Sequence, residues 1–206
     1  LSQNLYFLLI AHKIYSDQLP LSKFPTQGFL INKINNTGNQ WIFKPQKLGA
    51  LNLKAGEQTI GAWLSLANTH SAELLAHAGF DWICVDLQHG LIDYGDLRHM
   101  LPAISTTATT PLVRVAGNDP KDIMKVLDAG AMGVIVPLVN NRAEAAQAVA
   151  ACRYPPDGFR SFGPIRGALY GGRGYAAEAN DQIACIVMIE TREGIANLEE
   201  IVTTPG

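Results

Sequence analysis

The chain has 206 residues, with 16 basic and 18 acidic side chains and a formal charge of −2. That length allows one sizeable domain with a core of its own, and the slightly acidic balance argues against nucleic acid as the main partner. The cysteines are Cys84, Cys152 and Cys185, with no CxxC pair, which fits a reduced, cytoplasmic protein. The apolar run from Leu5 to Ala11 is far shorter than the roughly 20 residues a spanning helix needs and has no basic lead-in, so neither a membrane segment nor a signal peptide is expected.

Residues 1–47 differ from the rest. They hold Lys13, Lys23, Lys33, Lys44 and Lys47 against one acid, Asp17, and are rich in turn formers around Asn35-Asn36-Thr37-Gly38-Asn39. This segment shows no lasting period. It reads as a poorly specified extension (a tail, a cloning remnant or an upstream extension of the reading frame), or as the source of an added strand or two.

From residue 48 to residue 206 the pattern sharpens. Ile60 to Leu66 forms a first strand, and a helix capped by Asn68 or Thr69 follows, with Leu74, Leu75 and Ala78 on its apolar face and Gly79 as its stop. Trp82 to Asp86 is the second strand, and a helix beginning near Asp93 carries Leu97, Met100, Leu101 and Ile104. Pro111 to Val115 is the third strand. Asn118-Asp119-Pro120 opens a helix that presents Ile123, Val126 and Leu127 and stops at Gly130. Gly133 to Pro137 is the fourth strand, Asn141 to about Arg153 an alanine-rich helix, and Tyr154 to Tyr175 a long loop. Ala184 to Glu190 is the fifth strand and Thr191 to Val202 the fifth helix.

Strict βα alternation predicts a parallel sheet covered by helices, as a (β/α)8 TIM barrel or a doubly wound sheet. Five βα units do not close an eight-stranded barrel. The sequence therefore predicts a partial barrel, C-terminally truncated, or one whose edge strand a partner covers.

Three apolar runs end on charge at the carboxyl side, where α/β folds bind ligands. Asp86 closes the second strand and His89 follows it, Arg114 closes the third, and Glu190 closes the fifth. His89 is placed as a general base. Asp86 either supports the site or caps the following loop. Arg114 is suited to clamp a carboxylate or enolate, or to a structural ion pair. Glu190 is a metal ligand or a helix cap, and as a ligand it needs further oxygens. Asp128 sits at a helix C-terminus, against the dipole, a conflict that a neighbouring cation or imidazole would offset. The loop from Gly158 to Arg166 carries Arg160 and Arg166 and reads as a lid or a mobile connection. His70, His77 and His99 fall in helices with no metal-binding spacing.

Ordered segments from about Leu48 to Gly206 resemble the HpcH/HpaI aldolase family of metal-dependent class II pyruvate aldolases. They include Gly61-Ala62-Trp63-Leu64, Val85-Asp86-Leu87-Gln88-His89, Pro111-Leu112-Val113-Arg114, Asn118-Asp119-Pro120, Arg153-Tyr154-Pro155-Pro156 and Ile189-Glu190-Thr191-Arg192-Glu193. The resemblance implies a (β/α)8 barrel that cleaves 4-hydroxy-2-oxo acids, such as 4-hydroxy-2-oxoheptanedioate or 2-keto-3-deoxy sugar acids, to pyruvate and an aldehyde. It implies a divalent ion (Mg2+, Mn2+ or Co2+) as cofactor and a homo-oligomer. It matches His89 to the catalytic base, Arg114 to the residue holding the pyruvyl group, Glu190 to one metal carboxylate, Asp128 to the acid that pairs with the histidine, and Asp86 to an acid near the metal's water shell. The family's second metal carboxylate falls beyond Gly206. A citryl- or malyl-CoA lyase on the same barrel, and an inactive truncated fragment, are the alternatives.

Overall fold

A computed structural model describes residues 6–8, 59–172 and 174–206. Apart from Tyr6–Leu8, the proposed N-terminal extension lies outside the described residues. Those three residues form strand β1, so the segment contributes a strand, one of the two readings its sequence left open.

The remaining elements follow the expected alternation. Strand β2 (Gly61–Leu64) leads to α1 (Thr69–Ala76), β3 (Trp82–Asp86) to α2 (Tyr94–Ile104), β4 (Thr110–Arg114) to α3 (Pro120–Asp128), and β5 (Gly133–Val136) to α4 (Arg142–Cys152). The chain then forms α5 (Gly167–Gly171) and α6 (Tyr175–Gln182) before β6 (Ala184–Met188), and ends in α7 (Arg192–Ala196) and α8 (Leu198–Val202). The side chains that start these helices are the ones the sequence nominates. Asn68 accepts from the Ser71 N–H at 2.8 Å, Asp119 from the Lys121 N–H at 2.8 Å and Asn141 from the Glu144 N–H at 2.9 Å. Asp93 and Asp96 form a reciprocal capping box. Gly79 and Gly130 stop α1 and α3 at φ values of +92° and +110°, which only glycine adopts without strain.

Several expectations change. The buried residues of α1 are Ala72 and Ala76, whereas Leu74 is exposed. Close packing of α1 on α2 selects its small face. The predicted fifth helix breaks into α7 and α8 at Asn197, whose side chain donates to the Asn140 carbonyl at 2.9 Å. The stretch before β6 holds α6, which the sequence reading left unassigned.

The sheet runs in the order β1-β6-β5-β4-β3-β2, and every pairing is parallel. From β2 to β6 the spatial order follows the chain. A doubly wound sheet reverses its order at a switch point; the uninterrupted order is that of a barrel arc. β1 pairs with the far edge of β6, Phe7 opposite Val187.

Strand alternation divides the core into two clusters. Ile83, Val85, Val113, Val134, Val136 and Val187 face the helices and pack with Leu97, Leu101, Ile123 and Leu127. Cys84, Leu112, Ile135, Ile186 and Met188 form the second cluster on the opposite face, with Trp63 and Trp82 against it. Gly61 is held small by Trp82, because an added Cβ would lie 2.1 Å from the indole.

The segment between α4 and β6 occupies the end of the sheet where strands begin. Phe159 and Arg160 donate backbone N–H groups to the carbonyls of Ala150 and Arg153, at 2.9 and 2.8 Å. Both readings of this loop, a lid or a mobile connection, are corrected here at Arg160. Arg160 is 1% exposed, lies over the rings of Tyr154 and Tyr175, and bonds Asp128 at 2.9 Å. A guanidinium buried between rings and a carboxylate is an anchor rather than a mobile cover.

Leu101 is fully buried between α2 and the sheet. Leu101→Ala is expected to cost about 2–5 kcal/mol, read as a lower urea midpoint with an unchanged slope.

Candidate active site

Alternation carries Trp63, Asp86 and Arg114 to one face of the sheet, the face of the second apolar cluster. Asp86 and Arg114 are register partners at the carboxyl ends of β3 and β4. Two residues past Met188, Glu190 extends the same alternation at the end of β6. The sequence-nominated charges thus collect at one rim because each stands an even number of residues from an inward-facing apolar one.

Asp86 is the centre of this rim. Its Oδ1 accepts from Arg114 Nε at 2.8 Å and from the N–H groups of Gln88 and His89 at 3.0 and 3.2 Å. Its Oδ2 accepts from Arg114 Nη2 and from Trp63 Nε1 at 3.2 Å. One carboxylate therefore caps the following loop and also binds Arg114 and Trp63. Burial pushes its pKa up, but the donors of Arg114, Trp63, His89 and Gln88 outweigh burial and hold it down at about 2. An acid so held stays ionised at neutral pH and does not exchange protons.

Arg114 is bound to Asp86 through Nε and Nη2 in the bidentate geometry that makes such pairs strong. This bond, then burial acting against it, sets its pKa above the usual arginine value. Among the described residues its Nη1 makes no hydrogen bond. Its guanidinium carbon lies 5.0 Å from the Trp63 ring centroid. Trp63 is the site residue that sequence reasoning missed. An aromatic residue on an inward strand position reads as core, and the signal of its role is the alternation that aligns it with Asp86 and Arg114.

His89 is exposed on the loop after β3. Gly90 shapes that loop, because a Cβ there would lie 2.2 Å from the Asp86 carbonyl oxygen. Glu190 is exposed, and its Oε1 accepts from the Leu138 N–H at 3.0 Å. Leu138 holds a left-handed backbone at φ +57°, rare for a branched side chain, and this turn aims its N–H at Glu190. Thr191, not Glu190, caps α7.

Asp128 lies apart from these residues. It ends α3, which returns the chain to the opposite end of the sheet, and it is paired with Arg160. Burial raises its pKa, with Arg160 opposing. The dipole conflict is thus offset by a cation, and the chain does not bring Asp128 to His89.

Among the described residues no three His, Cys, Asp or Glu side chains converge to hold a metal. Asp86 is saturated by its donors, which leaves Glu190 as the rim carboxylate with an oxygen to offer. A hard divalent ion takes six or more oxygens, so the described donor set alone does not complete a metal site. Cys84 is buried and its thiol is pushed upward by that burial, which excludes a thiolate nucleophile.

Residues 59–206 match the HpcH/HpaI aldolase/citrate lyase family. The chain belongs to this family. It is 46% identical over 156 residues to the 2-dehydro-3,6-dideoxy-6-sulfogluconate aldolase of Pseudomonas putida, covering 75% of this chain and 61% of that protein. It is 45% identical over 157 residues to a Salmonella dublin 4-hydroxy-2-oxo-heptane-1,7-dioate aldolase, covering 75% of this chain and 60% of the relative. A solved HpcH/HpaI aldolase/citrate lyase family protein from Burkholderia cenocepacia superposes with a TM-score of 0.71 at 38% identity, over 76% of this chain and 65% of that one. The fold is therefore part of a family barrel, and the chain spans about 60% of the length of these curated relatives.

Asp86 provides a pH test. Its folded pKa of about 2 lies below the ordinary 3.8, so its ionised form stabilises the fold fully above about pH 4 and loses that contribution as pH falls through about 2. Asp86→Asn is expected to be less stable than the unaltered chain near neutrality. The difference in melting temperature should shrink as pH is lowered from about 5 to about 2.

Proposed function

We propose that the protein to which this chain belongs cleaves 4-hydroxy-2-oxo acids to pyruvate and an aldehyde. The observation that carries this reading is the Arg114 guanidinium, fixed by Asp86 through one edge and with no hydrogen bond at Nη1 among the described residues, at the same rim as His89 and Glu190. Its fixed positive charge suits the carboxylate and developing enolate of a 2-oxo acid. His89 takes the proton of the 4-hydroxyl, directly or through a water. The C3–C4 bond then breaks, its electron pair passes to the enolate beside Arg114, and the aldehyde leaves. Protonation of the enolate at C3 yields pyruvate.

A divalent ion, as Mg2+, Mn2+ or Co2+, would supply Lewis-acid stabilisation of the enolate. Among the described residues Glu190 is the rim carboxylate that could serve as a ligand, with the Leu138 N–H orienting it, and further ligands would come from outside the described residues. Lys121 and Lys125 lie exposed on α3 rather than at a strand end, which counts against a Schiff base. No described helix is long and apolar enough to cross a membrane, and the small-molecule reaction fits a cytoplasmic enzyme. Because His89 and Asp128 of one chain stand apart, the pairing that the family resemblance implies would have to form between two copies of the chain, each site taking its acid from a neighbour in a homo-oligomer.

Two assays test this. Pyruvate release from 4-hydroxy-2-oxoheptanedioate should require Mn2+, stop with EDTA, and fall about 10²- to 10⁴-fold in His89→Ala. Release from a CoA thioester instead would favour the citryl- or malyl-CoA lyase alternative. No release, either from this folded chain or from a form extended past Gly206, would contradict both. If the acid acts between copies, mixing His89→Ala with Asp128→Asn should restore part of the activity that each lacks. Mixtures no more active than their components would place Asp128 outside the site.

A further inference from the structure

We propose that Trp63 is a positioning residue, holding the Arg114 guanidinium at the angle at which its Nη1 edge meets the substrate. The inference rests on the reading of Arg114 as the anchor of the 2-oxo acid.

The argument starts from how a bidentate ion pair constrains its members. Two parallel N–H···O bonds from Arg114 to Asp86 place guanidinium and carboxylate close to one plane. They do little to stop the two groups from folding about the line through the carboxylate oxygens. Such folding swings Nη1, the nitrogen farthest from that line, more than any other nitrogen of the group. Trp63 meets the motion twice. Its Nε1 donates to Asp86 Oδ2 at 3.2 Å, which fixes the carboxylate against rotation. Its ring lies 5.0 Å from the guanidinium carbon, within cation–π range, and obstructs one face of the pair.

The strand geometry produces this double contact. Trp63 is the register partner of Cys84 on β3, and Asp86 stands two residues further along the same face. A side chain as long as indole reaches from the level of Cys84 to that of Asp86. Trp82 provides the contrast. It packs against the same apolar cluster, but its Nε1 donates to Thr59 Oγ1 at 3.2 Å, away from Arg114. Packing alone therefore does not distinguish the two tryptophans, and contact with the ion pair does.

The test measures pyruvate affinity of the full chain by calorimetry in the presence of Mn2+, with folding checked by circular dichroism. Trp63→Leu, which removes ring and donor, should weaken pyruvate binding about tenfold. Trp63→Phe keeps a ring and loses only the N–H, and should weaken it about threefold. Trp82→Phe should lower the melting temperature and leave pyruvate affinity unchanged. Equal losses at Trp63 and Trp82, or a folded Trp63→Leu that binds pyruvate within about twofold of the unaltered chain, would overturn the proposal. If Trp63→Leu does not fold, Trp63→Phe decides: an affinity equal to that of the unaltered chain overturns it and a loss supports it. Failure of the unaltered chain itself to bind pyruvate would remove the reading of Arg114, and this inference with it.

Discussion

The carboxylate of Asp86 carries the geometry of the whole rim. It receives two donors from Arg114, one from Trp63 and two from the backbone of the loop that bears His89. One buried acid thereby ties together the ends of β3 and β4, the side chain of β2 nearest them, and the loop between β3 and α2. A buried charge lacking such partners would be neutralised or expelled. Here the partners are so complete that the acid stays ionised well below neutral pH. Charge that is fixed before substrate arrives is the form in which a protein stabilises an enolate without reorganising at the moment of reaction.

The parallel sheet makes this arrangement possible. Consecutive strands in spatial order place neighbouring carboxyl ends side by side, so residues far apart in sequence, such as Asp86 and Arg114, face each other in register. The helices cover the other face and leave the rim to short loops. At the opposite end Arg160 performs a structural counterpart, joining α3, α6 and the segment after α4 through Asp128, Tyr154 and Tyr175. The proposed site stands at the strand C-termini and the Arg160 anchor at their beginnings, the division usual in a barrel.

Much of this was legible in the sequence because it is governed by local rules. A short buried apolar run located β3 to the residue, side-chain caps located the helix starts, and charge at the end of an apolar run nominated Asp86, Arg114 and Glu190. The misreadings share a different origin. Arg160 looked like a lid residue because its partners Asp128 and Tyr175 are distant in sequence, and nothing local announces a buried pair. Leu74 looked buried because hydrophobicity was weighed above size, where close packing of α1 on α2 favours Ala72 and Ala76. Trp63 drew no functional reading because an indole on an inward face gives no sign of what its N–H will meet. Asp128 was matched to the histidine by resemblance, and the path of α3 adds that, within one chain, the two stand at opposite ends of the sheet.

The central claim is that an arginine locked by Asp86 stabilises a pyruvate enolate. Exchange of the pyruvate methyl protons for deuterium in D2O with Mg2+, followed by proton NMR, tests it without reference to the aldehyde partner. The account predicts exchange catalysed by the unaltered chain and lost in Arg114→Ala. Exchange at the same rate in Arg114→Ala would contradict it.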